Sequence, residues 1–484
     1  MIMTDRPQKK PFHPAKDKHA PNVRRLAMDC LHGVIFAEKH LDDLLVSAAS
    51  KADPKDKALL NQLVMLVLRR RGGLRKVLRS VMTKSLDKTA ERIQIILELG
   101  AAQILLMDIS DHAAVDEAVK LVKKIKGPES RLSGLVNALL RRLVREKGKH
   151  QKTLQDNPLW DLPAPLAKRW THAWGPETVE QFALSLRQTP PTDISLNISN
   201  NESPAAEAKI WAEKLGGQPL PNGSVRTKAG QINHLEGFAE GRWWVQDVAA
   251  SLPAQILAPK PNDILLDMCA APGGKTMQLA AMGAQVTALD RSAKRLEKLS
   301  ENLDRTGLSA TVVTADALNY LHTESPSDNH QAPRGVDGIL LDAPCSATGT
   351  FRRNPDGMWQ KPDSLIKDMA ALQKDMLDHS VTLLKDGGSL VYCVCSLEPE
   401  EGEQQWDAFL KRHTTMKAVP IDPAQCGGWA KGLTAAGTLR LHPGLRLEKS
   451  SLDPDMSVSA KKWVKSQGLD GFFIAKAIKA GNSA

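Results

Sequence analysis

Aromatic residues are scarce in this chain: 4% of its 484 residues are Phe, Trp or Tyr, and Tyr occurs twice. Recognition of a flat ligand therefore cannot rest on many stacking platforms, and Trp243, Trp244 and Trp359 are the candidates available for it. Cysteine is also sparse. Cys30, Cys269, Cys345, Cys393, Cys395 and Cys426 are too few and too scattered for a disulfide framework, and no Cys/His spacing suits zinc, so no metal is expected. No apolar run approaches the ~18–20 residues that span a bilayer. Residues 1–21 are basic and proline-rich and lack the apolar segment of a secretion signal, so they read as a disordered tail on a cytoplasmic protein.

What is present is length, apolar content and positive charge. At 484 residues, 42% of them hydrophobic, the chain has room for two to four domains with proper cores. Lys and Arg exceed Asp and Glu by 65 to 55, with a sequence pI near 9.2. The excess clusters in the first third, at Arg69-Arg-Arg71, Lys123-Lys-Ile-Lys126, Arg141-Arg142 and Arg145-Glu-Lys-Gly-Lys149. Such clustering suits a polyanion such as RNA. Over residues 22–148, apolar side chains recur every three or four positions, as in Leu26, Cys30 and Val34 or Leu59, Leu63 and Leu66, predicting an all-α bundle. Gly72-Gly73 is a place where one of its helices can end. Residues 149–190, with Pro158, Pro163, Pro165 and Pro176, read as a connector carrying short helices; 191–255 as a small α/β subdomain; and 256–484 as an α/β domain with a Rossmann-like sheet.

The α/β domain is organised around Asp263-Ile-Leu-Leu-Asp-Met-Cys-Ala-Ala-Pro-Gly-Gly-Lys-Thr276, a strand, a glycine turn and the start of a helix. Glycines at such a turn let backbone N–H groups approach a ligand near a helix N-terminus. Further strands are predicted at Gln285–Asp290, Thr311–Thr314, Val336–Asp342 and Gly388–Cys395. Asp267, Asp290, Asp316, Asp342, Cys345 and Cys395 thus lie at or just beyond the carboxyl ends of successive strands, the edge at which open parallel sheets bind ligands.

Asp267-Met-Cys-Ala-Ala-Pro-Gly-Gly-Lys-Thr276, Asp342-Ala-Pro-Cys-Ser346 and Tyr392-Cys-Val-Cys-Ser396, with Arg352-Arg-Asn-Pro-Asp356 and Asp470-Gly-Phe-Phe-Ile-Ala475, resemble the motifs of S-adenosylmethionine-dependent RNA cytosine-5 methyltransferases of the RsmB/Sun and NOP group. Asp111-His-Ala-Ala-Val-Asp-Glu-Ala-Val119 and Ser133-Gly-Leu-Val-Asn-Ala-Leu-Leu-Arg-Arg142 are similar to the NusB-like fold, which binds RNA in that family; by themselves His112 and Asn137 read as capping or core residues. The resemblance implies a monomer that methylates 16S small-subunit ribosomal RNA, at cytosine 967, with S-adenosyl-L-methionine as cofactor. A tRNA or another rRNA site as target, or a catalytically idle RNA-binding assembly factor, remain open alternatives.

Carbon 5 of cytosine is too weak a nucleophile to attack a sulfonium methyl unaided. A thiolate adding at carbon 6 loads the ring with electron density, and an acid that hydrogen-bonds N3 and the amino group helps the intermediate. By resemblance, Cys395 is that nucleophile and Cys345 assists breakdown of the adduct. The loop Cys269, Ala270, Ala271, Pro272, Gly273, Gly274 and Lys275 cradles the cofactor, Asp290 holds its ribose and Asp316 lies by its adenine. Asp342 sits between cofactor and base, and Lys275 backs Asp342 or meets the target nucleotide. Cys393 shares a strand face with Cys395 but lies deeper, as core filler, and Cys30 and Cys426 read as structural. The chain departs from the family at Ser195, where Arg is usual in Arg-x-Asn, at Ala250 in place of Ser, at Asn354, at Cys393 and Val394, and at Gly402, where Asn commonly follows the Glu pair.

Overall fold

The computed structural model describes residues 22–83, 85–198, 202–228, 230, 232–323, 331–333 and 335–481; the tail expected at 1–21 lies outside them. The chain divides into two compact units, Met1–Asp156 and Asn157–Ala484.

The first unit consists of helices α1 (Val23–Ala37), α2 (Leu41–Lys51), α3 (Lys57–Val81), α4 (Glu91–Leu106), α5 (Asp111–Lys123), α6 (Ser133–Arg145) and α7 (Lys147–Asp156). Every residue of α4 from Ile93 to Leu105 is buried, which makes it the central rod of the bundle. Three expectations change here. Helix α3 runs unbroken through Gly72-Gly73, because Leu68, Gly73, Leu74 and Val77 are all buried and packing outweighs the local cost of glycine. The Arg69-Arg-Arg71 cluster is not a solvent-facing RNA grip: Arg69 and Arg71 are buried, and Glu98, fully buried on α4, takes Arg71 at 3.1 Å and Arg75 at 2.6 Å. Helix α7 crosses the border drawn at 148/149; in a polar sequence, His150 and Leu154 still supply a one-sided buried stripe.

The second unit begins with α8 (Ala164–Trp174) and α9 (Pro176–Leu186). A small antiparallel sheet of order β2-β3-β1-β4 follows, built from β1 (Thr192–Leu196), β2 (Gln218–Pro219), β3 (Val225–Thr227) and β4 (Trp243–Val245), with α10 (Pro204–Lys214) against it. Beneath it, Arg226 and Asp193 form a fully buried two-bond ion pair, 2.7 Å at each contact. Trp243 and Trp244 are buried in packing around this sheet, so neither can offer a stacking face; Trp359 is half-buried.

The larger sheet uses β5 (Ile264–Met268), β6 (Gln285–Asp290), β7 (Thr311–Thr314), β10 (Val336–Asp342), β11 (Leu384–Val394), β12 (Met416–Ala418), β13 (Leu439–Leu441) and β14 (Phe472–Lys479); β8 (Leu321–Thr323) and β9 (Gln331–Pro333) pair only with each other. Its order is β12-β14-β11-β10-β5-β6-β7, with β13 alongside β14. The five strands expected from sequence are parallel neighbours, while β14 inserts antiparallel between β11 and β12. Helices α11 (Val248–Leu257), α12 (Gly274–Ala281), α13 (Ala293–Thr306), α14 (Gly357–Gln360), α15 (Ser364–Leu383), α16 (Glu403–Arg412) and α17 (Val458–Ser466) complete the unit. Side chains alternate across the sheet. Leu340, Val391, Cys393 and Ile474 pack with α11 on one face; Leu341, Leu390, Tyr392 and Phe473 pack with Met376, Leu377, Trp406 and Phe409 on the other. Both faces are dry, so polar chemistry is pushed to the strand ends.

Candidate active site

β5 delivers Asp267 to the carboxyl edge, and the chain turns at Cys269–Gly273 into α12. Gly273 has φ 107°, and a Cβ there would come within 2.9 Å of Leu299, so the turn requires glycine. The turn is pinned to β6: Ala270 N donates to Leu289 O at 2.8 Å and Ala271 N to the Asp290 carboxylate at 3.3 Å. Asp290 also accepts from Ser292 N and pairs with Arg295 at 3.2 Å. Asp316 is exposed and caps its own turn through Leu318 N. Asp267 is fully buried; Thr276 donates to its Oδ2 at 2.6 Å, while Oδ1 has no partner. Burial pushes its carboxyl up to about 7, against the opposing pull of Thr276 and Lys275.

Helix α12 places Lys275 so that its Nζ lies 2.7 Å from Asp342 Oδ2 and over the Phe472 ring. Asp342 is one of the two partners foreseen for Lys275. Burial disfavours the ammonium, but the charge and hydrogen bond of Asp342 outweigh it and hold the Lys275 pKa above the ordinary lysine range. Cys393 is buried with its thiol 3.5 Å from Asp342 Oδ1, and burial raises its pKa well above the usual. Cys345 and Cys395, on the loops leaving β10 and β11, are half-buried and meet with their sulfurs 3.4 Å apart. The hydrogen bond with Cys395, followed by burial, drives the Cys345 thiol well above its usual pKa, so Cys345 keeps its proton.

Residues with no role assigned from sequence hold these loops. Glu401, fully buried, accepts from Ser346 N at 2.7 Å and from the Ser346 and Ser396 hydroxyls. Glu398, also fully buried, accepts from Arg169 at 2.9 Å and Trp170 Nε1 at 3.0 Å, tying α8 to the segment after Cys395. Arg353 bridges Asp247 and Asp470, and Asp247 caps α11 through Ala249 N at 2.8 Å. Their partners lie too far away along the chain to leave a local pattern. Two departures also find a physical reading. A Cβ at Gly402 would overlap the Arg440 guanidinium, which instead donates to Ser396 O at 2.6 Å and pairs with Glu403, so glycine opens the space arginine fills. Ser195 is buried with an unpartnered hydroxyl, and Asn197 binds Thr306 O at 2.8 Å.

In the first unit, α5 and α6 enclose a groove of about 570 Å³ lined by His112, Lys123, Asn137, Arg141 and Arg145 among others. His112 is exposed there and Asn137 accepts from Arg141, so neither is the core or capping residue expected. Among the described residues, no helix is long and apolar enough to cross a membrane, and no group of three or more His, Cys, Asp or Glu could hold a metal ion.

The edge of the large sheet suits a cationic, ribose-bearing ligand: a glycine turn without side-chain bulk, the unpartnered buried oxygen of Asp267, and Asp290 at the end of the next strand. Residues 254–478 match the family described as 16S rRNA methyltransferase RsmB/F, and residues 21–145 match the NusB family. A protein of Vibrio cholerae named ribosomal RNA small subunit methyltransferase B is 35% identical over 84% of this chain and 93% of its own length. One of the same name from Klebsiella pneumoniae is 34% identical over 84% and 95%. The crystal structure of PH0851 shares the fold, with a TM-score of 0.68 at 21% identity over 94% of this chain and 99% of that one. S-adenosyl-L-methionine is accordingly the cofactor, and the protein is an RNA methyltransferase. With relatives matched along nearly their whole length and a sheet edge that fits the cofactor, the chain belongs to the RsmB/F family of methyltransferases, joined to an N-terminal NusB-family domain.

Proposed function

We propose that this enzyme methylates carbon 5 of a cytosine in 16S small-subunit ribosomal RNA, at cytosine 967, in the cytoplasm, through a covalent bond between Cys395 and carbon 6. The observation that carries the chemistry is the pair of thiols 3.4 Å apart beside the Lys275–Asp342 pair. The relatives' names support the choice of RNA.

Bound S-adenosyl-L-methionine supplies an electrophilic methyl group on a sulfonium. The target base leaves its stack to enter the site, as enzymes acting on a single base require. Cys395 adds as thiolate to carbon 6, and the displaced electron pair makes carbon 5 nucleophilic. Asp342 accepts a hydrogen bond from the base's amino group, and the Lys275 ammonium behind it offsets negative charge building in the ring. After carbon 5 takes the methyl, loss of its proton to a base returns the electron pair and breaks the sulfur–carbon 6 bond. Cys345, kept as a thiol, donates a hydrogen bond to the departing sulfur and so eases release.

The test incubates the enzyme and labelled cofactor with small-subunit RNA lacking the modification, tRNA and large-subunit RNA, then maps the labelled base. Label on carbon 5 of cytosine 967 is the expected result; label on tRNA or another site moves the target, and no label on any RNA returns the idle-factor reading. The α5–α6 groove is read as a phosphate-contacting surface. Replacing Arg141 and Arg145 by Ala should weaken RNA binding and lower the salt slope of log K by about one per arginine, with kcat at saturating RNA unchanged, as read from filter binding across a salt series.

A further inference from the structure

Glu401 lies outside the reacting groups, yet its one carboxyl group holds the residue that follows each cysteine. Oε1 accepts from Ser346 N at 2.7 Å and from Gln373 Nε2 at 3.2 Å; Oε2 accepts from the hydroxyls of Ser346 and Ser396, which are themselves 3.2 Å apart. Gln373 also donates to Pro344 O at 2.8 Å, and Tyr392 donates to Glu401 O at 2.6 Å. Ser346, Gln373, Ser396 and Glu401 are all buried at the 0–1% level, so this polar group is shut away from water and costly to break. Outside it, the two cysteine loops are joined by Gly349 N to Cys395 O at 3.0 Å and Leu397 N to Thr348 Oγ1 at 2.9 Å.

We propose that Glu401 is a positioning residue that sets the separation of the Cys345 and Cys395 sulfurs by clamping Ser346 to Ser396. This rests on the cysteine chemistry proposed above. With Glu401 in place, the nucleophile and the thiol that eases its release stand in contact in one fixed arrangement. Without it, two buried hydroxyls and a backbone N–H lose this acceptor, and the segments bearing the cysteines are free to shift about the bonds that remain between the loops. Substrate and cofactor binding are expected to survive its loss, because the hydrogen bonds of the Glu401 carboxyl go to Ser346, Ser396 and Gln373 and to none of Asp267, Lys275, Asp290 or Asp342.

The test compares wild type with Glu401→Ala and Glu401→Gln by two readouts. The first is the rate at which diamide, an oxidant that takes one hydrogen from each thiol, joins Cys345 to Cys395, followed by peptide mass. The second is steady-state methylation. In Glu401→Ala the joining rate should fall about tenfold and kcat about 10²-fold, with both KM values within about twofold of wild type. Glu401→Gln, which keeps one acceptor oxygen, should fall between. Joining and turnover at wild-type rates in Glu401→Ala would overturn the proposal. Where Glu401→Ala fails to fold, the double variant Ser346→Ala/Ser396→Ala carries the test, and unchanged joining and kcat in it overturn the proposal equally. The joining readout needs no catalysis, so a failure of the clamp is separable from a failure of the cysteine roles, which would show as normal methylation by Cys395→Ala.

Discussion

Cys395→Ala is expected to lose methyl transfer by a factor on the order of 10³–10⁶ and to form no covalent complex with RNA. The nucleophile is the one group whose bond to carbon 6 makes carbon 5 reactive, and no neighbour can take its place. Cys345 holds its proton, and Cys393 is buried against Asp342 with its thiol also pushed up. Cys345→Ala should behave in the opposite sense. The Cys395 sulfur would still add, but it would depart without the thiol that stands 3.4 Å away. Protein held to RNA should then accumulate on a denaturing gel while turnover falls. A labelled RNA and a time course of gels with all three proteins measure both outcomes. Comparable loss in the two variants, with no adduct in either, would overturn the division of labour.

The second large effect concerns Asp267, whose carboxyl is buried without an ion-pair partner at a pKa of about 7. A carboxyl with a folded pKa above its unfolded one binds its proton more tightly when folded. Its ionisation therefore opposes folding: stability is greatest at low pH and falls as pH rises from about 4 through 7. At pH 8 the full cost is about 4 kcal/mol, and roughly 3 kcal/mol of it develops between pH 5 and 8. Asp267→Asn keeps a partner for Thr276 and cannot ionise, so it should be more stable than wild type at pH 8, with the difference shrinking by about that amount at pH 5. Urea unfolding of both proteins at the two pH values gives the comparison. The same change should weaken binding of the cationic cofactor roughly 10–100-fold, because a hydrogen bond to a charged partner is lost. A carboxyl that costs stability where it would help a ligand is the usual sign of a site built for binding. Unchanged cofactor affinity in Asp267→Asn would remove Asp267 from the site.

Much of the large sheet could be read from sequence. Ile264–Met268, Val336–Asp342 and the end of β11 are apolar runs buried on both faces, and each is closed by a polar residue or a glycine turn within a few positions. The same locality made Lys275, Asp342, Cys345 and Cys395 visible, since each sits within three residues of a strand end or in the glycine turn. What sequence did not reveal depends on pairing across long stretches. Glu398 meets Arg169 at a separation of 229 residues, Arg353 meets Asp247 at 106, and Glu401 meets Ser346 at 55. Two residues that composition marks as candidates for binding are withdrawn from the surface for a related reason. Trp243 and Arg71 carry the composition of a binding surface, but Trp243 fills the core beneath the small sheet and Arg71 neutralises Glu98, a partner 27 positions on. Gly72-Gly73 shows local propensity overruled by neighbours from other helices.

The insertion of β14 between β11 and β12 has a consequence for the order in which a nascent chain can finish folding. β11, which carries the chain to Cys395, pairs along Ser389–Val394 with residues 473–478, made some eighty positions later. Until those residues emerge from the ribosome, one side of β11 is a bare strand edge rich in Leu390, Val391, Tyr392 and Val394, the kind of surface that recruits wrong partners. Some eighty residues are therefore made while the loop that carries Cys395 hangs from an unpaired strand edge, and a truncation before Phe472 would leave that edge bare permanently.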